Sequence, residues 1–386
     1  MQDVKAEINF SGGLMAALQQ AEAQGLDDAS IERLYNEYFA YHTRKNAVPY
    51  HGMFELTPLC NLNCKMCYVH LSRDQLGERH LLPTETWIRL IDEAAQAGMM
   101  KAALTGGECL TYPGFDEIYL HLESLGIRTA VLTNGVLLNE KRIEFFKEHP
   151  PAIIQVTLYG SNEDEYERVC GVRQFETVLN HIKLVQDAEL PIFIAITPNR
   201  FLPDAGEGLL RLVHSLGVPY NINSCLFQPQ PGTGREQESI DMTIDDYIRL
   251  YTLRAELNGR KITPVDPSTL PEPAEESTET VLGVRCGAGM NSFTIQWDGT
   301  MVPCSTQLEI RRNPLTDGFS AAWQQIHDGV LHIPIPAECG NCKYNSTCPS
   351  CAAIHAQDAS PGHASRHQCR RAKRLVECGL AQLIQS

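Results

Sequence analysis

Apolar residues in the first 48 positions recur at helical spacing. Leu14, Leu18 and Ala21 share one helical face, and Asp27 or Asp28 stands where it can cap a second helix carrying Ile31, Leu34, Tyr35, Tyr38 and Phe39. From residue 50 the pattern shifts to short apolar runs separated by longer amphipathic stretches. Runs at 53–56, 101–105, 129–133, 153–158, 191–196 and 220–226 predict strands. Stretches at 84–97, 115–125, 177–187 and 208–216 predict helices between them. Repeated units of this kind predict an α/β fold, a partial (β/α)6 TIM-like barrel with parallel strands. Gly106-Gly107, Asn134-Gly135 and Tyr159-Gly160 fall where strands end, on the face where such barrels carry their sites.

Residues 264–280 are rich in Pro, Glu, Ser and Thr and read as a linker or mobile loop. Beyond it cysteines become dense and the regular pattern thins. The expected organisation is a helical extension over 1–48, the barrel over 49–240, a bridging segment and linker over 241–282, and a cysteine-rich domain over 283–386. Within that domain, Phe293-Thr294-Ile295 and Trp297-Asp298-Gly299-Thr300 predict a hairpin turning at Asp-Gly.

The chain has 386 residues and 43% hydrophobic content, enough for one large domain and a smaller one. Its formal net charge of −15 argues against nucleic acid as a partner. No apolar run reaches the length of a membrane span, and the N-terminus carries acids early with no apolar stretch behind them. A cytoplasmic protein with no membrane partner is expected. The 14 cysteines stand in metal-ligand spacings, which favours metal or cluster ligation over disulfides.

The first group is Cys60-x3-Cys64-x2-Cys67, directly after the first strand. Thiolates are the ligands of iron–sulfur clusters, and a cubane usually takes four. Three in a tight loop leave one iron free for a substrate or cofactor. Zinc is the alternative, with His70 as a fourth ligand.

This loop resembles the signature of the radical S-adenosylmethionine superfamily. Thr105-Gly106-Gly107-Glu108, at the end of the second strand, is similar to that family's GGE motif. The resemblance implies that Gly106, Gly107 and Glu108 hold the methionine amino group of the cofactor. It is physically reasonable: glycines permit close backbone approach, and a carboxylate pairs with an ammonium. Thr157-Leu158-Tyr159-Gly160-Ser161 resembles the family's motif at the fourth strand end and implies ribose or substrate contacts from Thr157 and Ser161. Tyr159 replaces the usual Asp there. The family's aromatic residue near the adenine has Met66 or Tyr68 as its counterpart. The implied chemistry is reductive cleavage of S-adenosylmethionine to a 5′-deoxyadenosyl radical, which takes hydrogen from a substrate.

Cys286, Cys304, Cys339, Cys342, Cys348, Cys351 and Cys369 resemble the SPASM domain attached to many such enzymes, with one residue fewer between Cys348 and Cys351 than is common. That resemblance implies three [4Fe-4S] clusters in all. One auxiliary cluster would use Cys339, Cys342, Cys348 and Cys369. The other would use Cys286, Cys304 and Cys351. Ser292 stands where some relatives have a further cysteine, which would leave an iron open to a substrate thiolate. A pair of zinc knuckles is the alternative.

Cys109, Cys170, Cys225 and Cys378 lie outside these groups and read first as small buried hydrophobes. Cys109 and Cys225, with Tyr159, are also candidate catalytic residues, the cysteines as hydrogen or proton donors near the pocket. Residues 228–235 read as a plain loop or a cofactor contact, and His70 and Arg168 as possible pocket residues. The resemblance implies a peptide substrate, matured by a thioether or other crosslink, and a low-potential electron donor such as flavodoxin or ferredoxin. The 1–48 extension is then either packing or a docking element for a leader peptide. Sulfatase-maturase-like oxidation of Ser or Cys, small-molecule dehydrogenation or epimerisation, and a non-catalytic zinc adaptor are the other functional readings.

Overall fold

A computed structural model describes residues 13–23, 25–223, 226–227, 242–270, 283–345, 348, 351–359 and 362–380. The central strands are β1 (His51–Thr57), β2 (Lys101–Gly106), β3 (Arg128–Thr133), β4 (Ile153–Leu158), β5 (Ile192–Ile196) and β6 (Tyr220–Ile222). They lie side by side in chain order, each parallel to the next. This is the expected α/β class and the expected open, partial barrel. β6 is shorter than the 220–226 run, and Cys225 and most of that run's end fall outside the described residues.

Strand alternation sorts the side chains. On β4, Ile154, Val156 and Leu158 are buried against the outer helices, so Gln155 and Thr157 face the other way, into the barrel. On β1, Phe54 and Leu56 take the outer face, and Met53, Glu55 and Thr57 the inner one. The outer layer includes the helices Thr84–Gln96, Phe115–Ser124, Phe175–Asp187 and Glu207–Ser215. Two further helices, Glu140–Glu148 and Glu163–Cys170, were not apparent from the periodicity. Both are short and polar, and local capping defines them: Asn139 accepts from Arg142 N, and Asn162 from Glu165 N.

The sheet continues across the boundary drawn near 282. β7 (Ser292–Ile295) pairs in parallel with the free edge of β1, and β8 (Met301–Val302) pairs antiparallel with β7. The hairpin turns over 296–300 as its Asp-Gly sequence predicts, with Gln296 N donating to Thr300 O at 2.8 Å. An aromatic chain seats it. Phe293 meets Phe54 at 6.0 Å, Phe319 at 5.1 Å and Trp323 at 6.1 Å, all with tilted or edge geometry. Regular structure does not thin out after 282. The helix Phe319–Leu331 buries Phe319, Ala322, Trp323, Ile326 and Val330, a full helical stripe, and Glu93 accepts its first N–H, from Phe319, at 3.0 Å. The helix Arg366–Glu377 is the last described element, and the described chain ends three residues on at the buried Leu380.

The N-terminal helices are Gly13–Ala23 and Asp28–Lys45, and Asp27 is the cap of the second. That helix is tied to the C-terminal region. Asn291 Nδ2 donates to Thr43 Oγ1 at 2.9 Å, and Arg44 to the Arg285 carbonyl at 3.2 Å. The 244–257 stretch of the bridging segment is also helical, Ile244–Leu257, with a Thr243–Asp246 capping box. Most of the 264–280 linker lies outside the described residues. No helix among the described residues is long and apolar enough to cross a membrane.

Phe293 is 1% exposed at the junction of β1, β7 and the 319–331 helix. Phe293→Ala is expected to cost about 3–5 kcal/mol, read as a lowered denaturation midpoint. A loss below about 1 kcal/mol would mean that this ring does not seat β7 on β1.

Candidate active site

Thr57 ends β1, and its Oγ1 accepts from Leu59 N at 3.1 Å, turning the chain into the cysteine loop. The helix Glu163–Cys170 holds that loop from outside. Asn63 N donates to Cys170 O and Lys65 N to Val169 O, both at 2.9 Å. These are carbonyls that a helix C-terminus leaves without intrahelical partners. Leu62 N points at Cys60 Sγ (3.4 Å) and His70 N at Cys67 Sγ (3.3 Å). Burial, Glu108 and the neighbouring Cys64 and Cys67 push the Cys60 thiol up to about 12. The Lys65 ammonium sits 4.8 Å over the Phe201 ring. Such a crowded sulfur set ionises when a positively charged centre accepts it.

β2 reaches this loop closely. Gly107 N donates to Thr57 O at 2.6 Å and Glu108 N to Leu59 O at 2.9 Å. Gly106 has φ +136°, and a Cβ there would collide with the Thr57 carbonyl. A Cβ on Gly107 would meet the Leu59 carbonyl and, at 2.7 Å, that of Pro58. The close approach these glycines allow is therefore to the cysteine loop itself.

Glu108 is 1% exposed and turned toward β3. Its Oε1 accepts from Thr133 Oγ1 (2.8 Å) and Leu110 N (3.1 Å), and its Oε2 from Asn134 N (2.7 Å). Burial raises its carboxyl above the usual range, opposed by these donors. Asn134, which sequence reasoning noted only as a strand end, carries the connection onward. Its Nδ2 donates to Asn61 Oδ1 (2.7 Å) and Cys60 Sγ (3.5 Å).

Inside the barrel, Glu55 is 2% exposed. Ser305 and Gln296 hydrogen-bond its carboxyl, while Oε2 has no partner. Burial, with Asp298 adding to it, raises Glu55 from 4.5 to about 7. Tyr68 lies against the same group: burial, Glu55 and Cys67 push its phenol up, and Ser305 hydrogen-bonds it. The sequence did carry a signal for Glu55, an acid within an otherwise apolar strand.

The other singled-out residues divide. Tyr159 is half-buried beside Cys64, Cys170, Cys60 and Cys67, and loss of solvent around its hydroxyl above all holds the phenol well above 10. Thr157 is half-buried on the inner face of β4. Ser161 donates through N (2.7 Å) and Oγ (2.9 Å) to Glu165 Oε2. Met66 is packed in the core, and Tyr68 meets Phe227 edge-on at 6.2 Å. Cys109 is buried, with its thiol donating to Leu132 O at 3.3 Å, and burial raises it well above 9. Cys170 is buried in the core. Cys225 and residues 228–235 lie outside the described residues. His70 contributes its N–H to the loop, and Arg168 is 3.5 Å from the Phe201 carbonyl.

Among the C-terminal cysteines, Cys348 is raised to about 11 by burial and by Cys339, Cys369 and Cys342, while Arg285 opposes the rise. Cys339 and Cys369 are raised by burial first and then by members of the same group. Cys342 adds to the rise of all three. Cys304 and Ala352, next to Cys351, pack on the cluster of Val284 and Ala288 that flanks Cys286. Ser292 opens β7 with its Oγ beside Gly287. No three His, Cys, Asp or Glu among the described residues converge on a single metal-ion position. A cubane takes its thiolates one per iron, so its ligands surround a volume and not a point.

Residues 54–212 match the family model of the Radical SAM superfamily. The AdoMet-dependent heme synthase of Methanosarcina barkeri is 27% identical over 322 residues, 78% of this chain and 90% of that protein. The antilisterial bacteriocin subtilosin biosynthesis protein AlbA of Bacillus subtilis is 30% identical over 266 residues, 67% of this chain and 55% of that protein. The crystal structure of Streptococcus suis SuiB bound to precursor peptide SuiA has a TM-score of 0.65 at 16% identity, covering 92% of this chain and 87% of that one. At that identity the likeness is one of fold.

The Glu55 carboxyl gives a pH test. Its proton is held more tightly in the fold than in the unfolded chain, so its contribution to stability is complete below about pH 4.5. It is lost as pH rises through about 7. Above that, a charged Glu55 costs about 3 kcal/mol. Glu55→Gln is expected to melt higher than the wild type at pH 8 and nearly level with it at pH 5. Equal melting at pH 8 would show that the buried charge carries no penalty.

Proposed function

We propose that this chain, a radical SAM enzyme, matures a ribosomally made peptide by a thioether or related crosslink. The substrate half of this reading is carried by the 30% identity to a bacteriocin biosynthesis protein. The fold likeness to an enzyme solved with its precursor peptide supports it. A second reading has one observation in its favour: the heme synthase is matched over 90% of its length, which fits a tetrapyrrole or other small molecule.

Cys60, Cys64 and Cys67 fit a [4Fe-4S] cluster, since their loop gathers three sulfurs at a barrel mouth and leaves one iron for S-adenosylmethionine. When bound there, the reduced cluster and the cofactor supply a 5′-deoxyadenosyl radical that takes a hydrogen atom from the substrate. The protein's own part is to bind, orient and exclude water. Leu62, His70 and Asn134 donate to the sulfurs. Tyr68 and Met66 stand at the loop for the adenine, and Thr157 faces the lumen for the ribose or the substrate. Ser161, fixed by Glu165, shapes the β4 end. Tyr159 remains a neutral phenol and orients without taking a proton. Glu55 and Ser305 offer the substrate a polar wall. Cys339, Cys342, Cys348 and Cys369 would hold one auxiliary cluster. Cys286, Cys304 and Cys351 would hold another, with an iron open to a substrate thiolate. A low-potential donor such as flavodoxin or ferredoxin completes the system.

Anaerobically reconstituted wild type is expected to carry about eleven to twelve irons and to release 5′-deoxyadenosine with dithionite. The triple variant Cys60→Ala/Cys64→Ala/Cys67→Ala is expected to keep about eight irons and release none. Release by that variant would overturn the assignment of the loop. Release from the wild type stimulated by an iron tetrapyrrole, and not by cysteine-bearing peptides, would move the substrate to the second reading.

A further inference from the structure

The family resemblance gives Glu108 to the cofactor's ammonium, but the geometry gives that carboxylate other work. It is 1% exposed, and Thr133, Leu110 and Asn134 already donate to it. With three donors in place the carboxylate keeps one accepting direction, on Oε2, and at 1% exposure little of it is open to a ligand. What Glu108 fixes is the start of the turn after β3.

Asn134 is the key to that turn. It is 4% exposed, and its two amide ends are assigned by their partners. Val136 N–H can only donate, and it lies 3.0 Å from Asn134 Oδ1. The NH2 end must therefore face the cysteine loop, where it lies 2.7 Å from Asn61 Oδ1 and 3.5 Å from Cys60 Sγ. The backbone N–H of Asn134 is held by Glu108 at 2.7 Å, and Gly135 N by Thr133 Oγ1 at 3.1 Å. One carboxylate thus sets the backbone whose side chain points a donor at a cluster-ligand sulfur. An N–H directed at such a sulfur favours added negative charge, which for an iron–sulfur centre is the reduced state.

We propose that Glu108 and Asn134 are positioning residues for the cysteine loop. Glu108 locks the β3 turn, and Asn134 then hydrogen-bonds Cys60, easing reduction of the cluster before any cofactor arrives. The proposal rests on the reading that Cys60, Cys64 and Cys67 hold that cluster.

The test is a potentiometric titration of the full, reconstituted enzyme followed by electron paramagnetic resonance. The signal that changes when S-adenosylmethionine is added marks the loop cluster, and the titration is run without the cofactor. Asn134→Leu is expected to make that cluster roughly three- to tenfold harder to reduce, the worth of one hydrogen bond. Its iron content and the other signals should stay unchanged. Glu108→Gln is expected to move the same signal in the same direction while S-adenosylmethionine binds within about twofold of wild type. If Asn134→Leu fails to hold iron in the loop, Asn134→Asp, which keeps the Val136 contact and removes the donor, carries the measurement. An unmoved potential in the Asn134 variant would overturn the proposal. So would a Glu108→Gln enzyme with unmoved potential and cofactor binding weakened tenfold or more, the signature of an ammonium partner. If no wild-type signal responds to S-adenosylmethionine, it is the assignment of the loop that fails.

Discussion

The end of β2 lies nearer to the cysteine loop than any side chain would permit. Gly106 and Gly107 press on the carbonyls of Thr57, Pro58 and Leu59, and their backbone hydrogen bonds stitch the two strand ends together. Most of the site follows from that contact. It holds the start of the loop while the C-terminus of the 163–170 helix holds its middle. It also delivers Glu108 to the one place where its carboxylate can reach the end of β3. The consequence is a loop fixed from three strand ends and one helix end. Prior fixing of this kind limits the conformational entropy that ordering the loop would otherwise cost.

The parts of this that were legible in the sequence are those with local signals. Strand and helix periods gave the open barrel, because alternation and helical stripes are readable within a dozen residues. Cysteine spacing marked two cysteine-rich regions, and Asp-Gly gave the hairpin. The illegible parts depend on partners distant in the chain. Nothing within 292–295 says that this strand will pair with β1, some 240 residues earlier. The 163–170 helix was hidden by its acidic first turn, which suits a helix N-terminus but dilutes the apolar pattern. Asn134 looked like punctuation after a strand, and only its neighbours make it a donor to sulfur. The paired glycines read as a close-approach signal toward a cofactor, and in the fold it is the cysteine loop that lies against them.

β7 changes how the two cysteine regions relate. Because it extends the barrel sheet at β1, the chain that follows β8 is brought to the lumen side of β1. Ser305 Oγ lies 3.4 Å from Met53 Sδ, on the same inner face as Glu55. Tyr68 registers the result, since its phenol is perturbed both by Cys67 of the first group and by Cys304 of the second. One aromatic side chain thus stands within electrostatic range of both. The second cysteine region divides accordingly. Cys304 borders the same interior as the first cysteine loop. Cys339, Cys348 and Cys369 form a second group, and Cys342 adds to the rise of each. Glu55 lies with Tyr68 and Ser305 on that inner face, and its Oε2 has no hydrogen-bond partner.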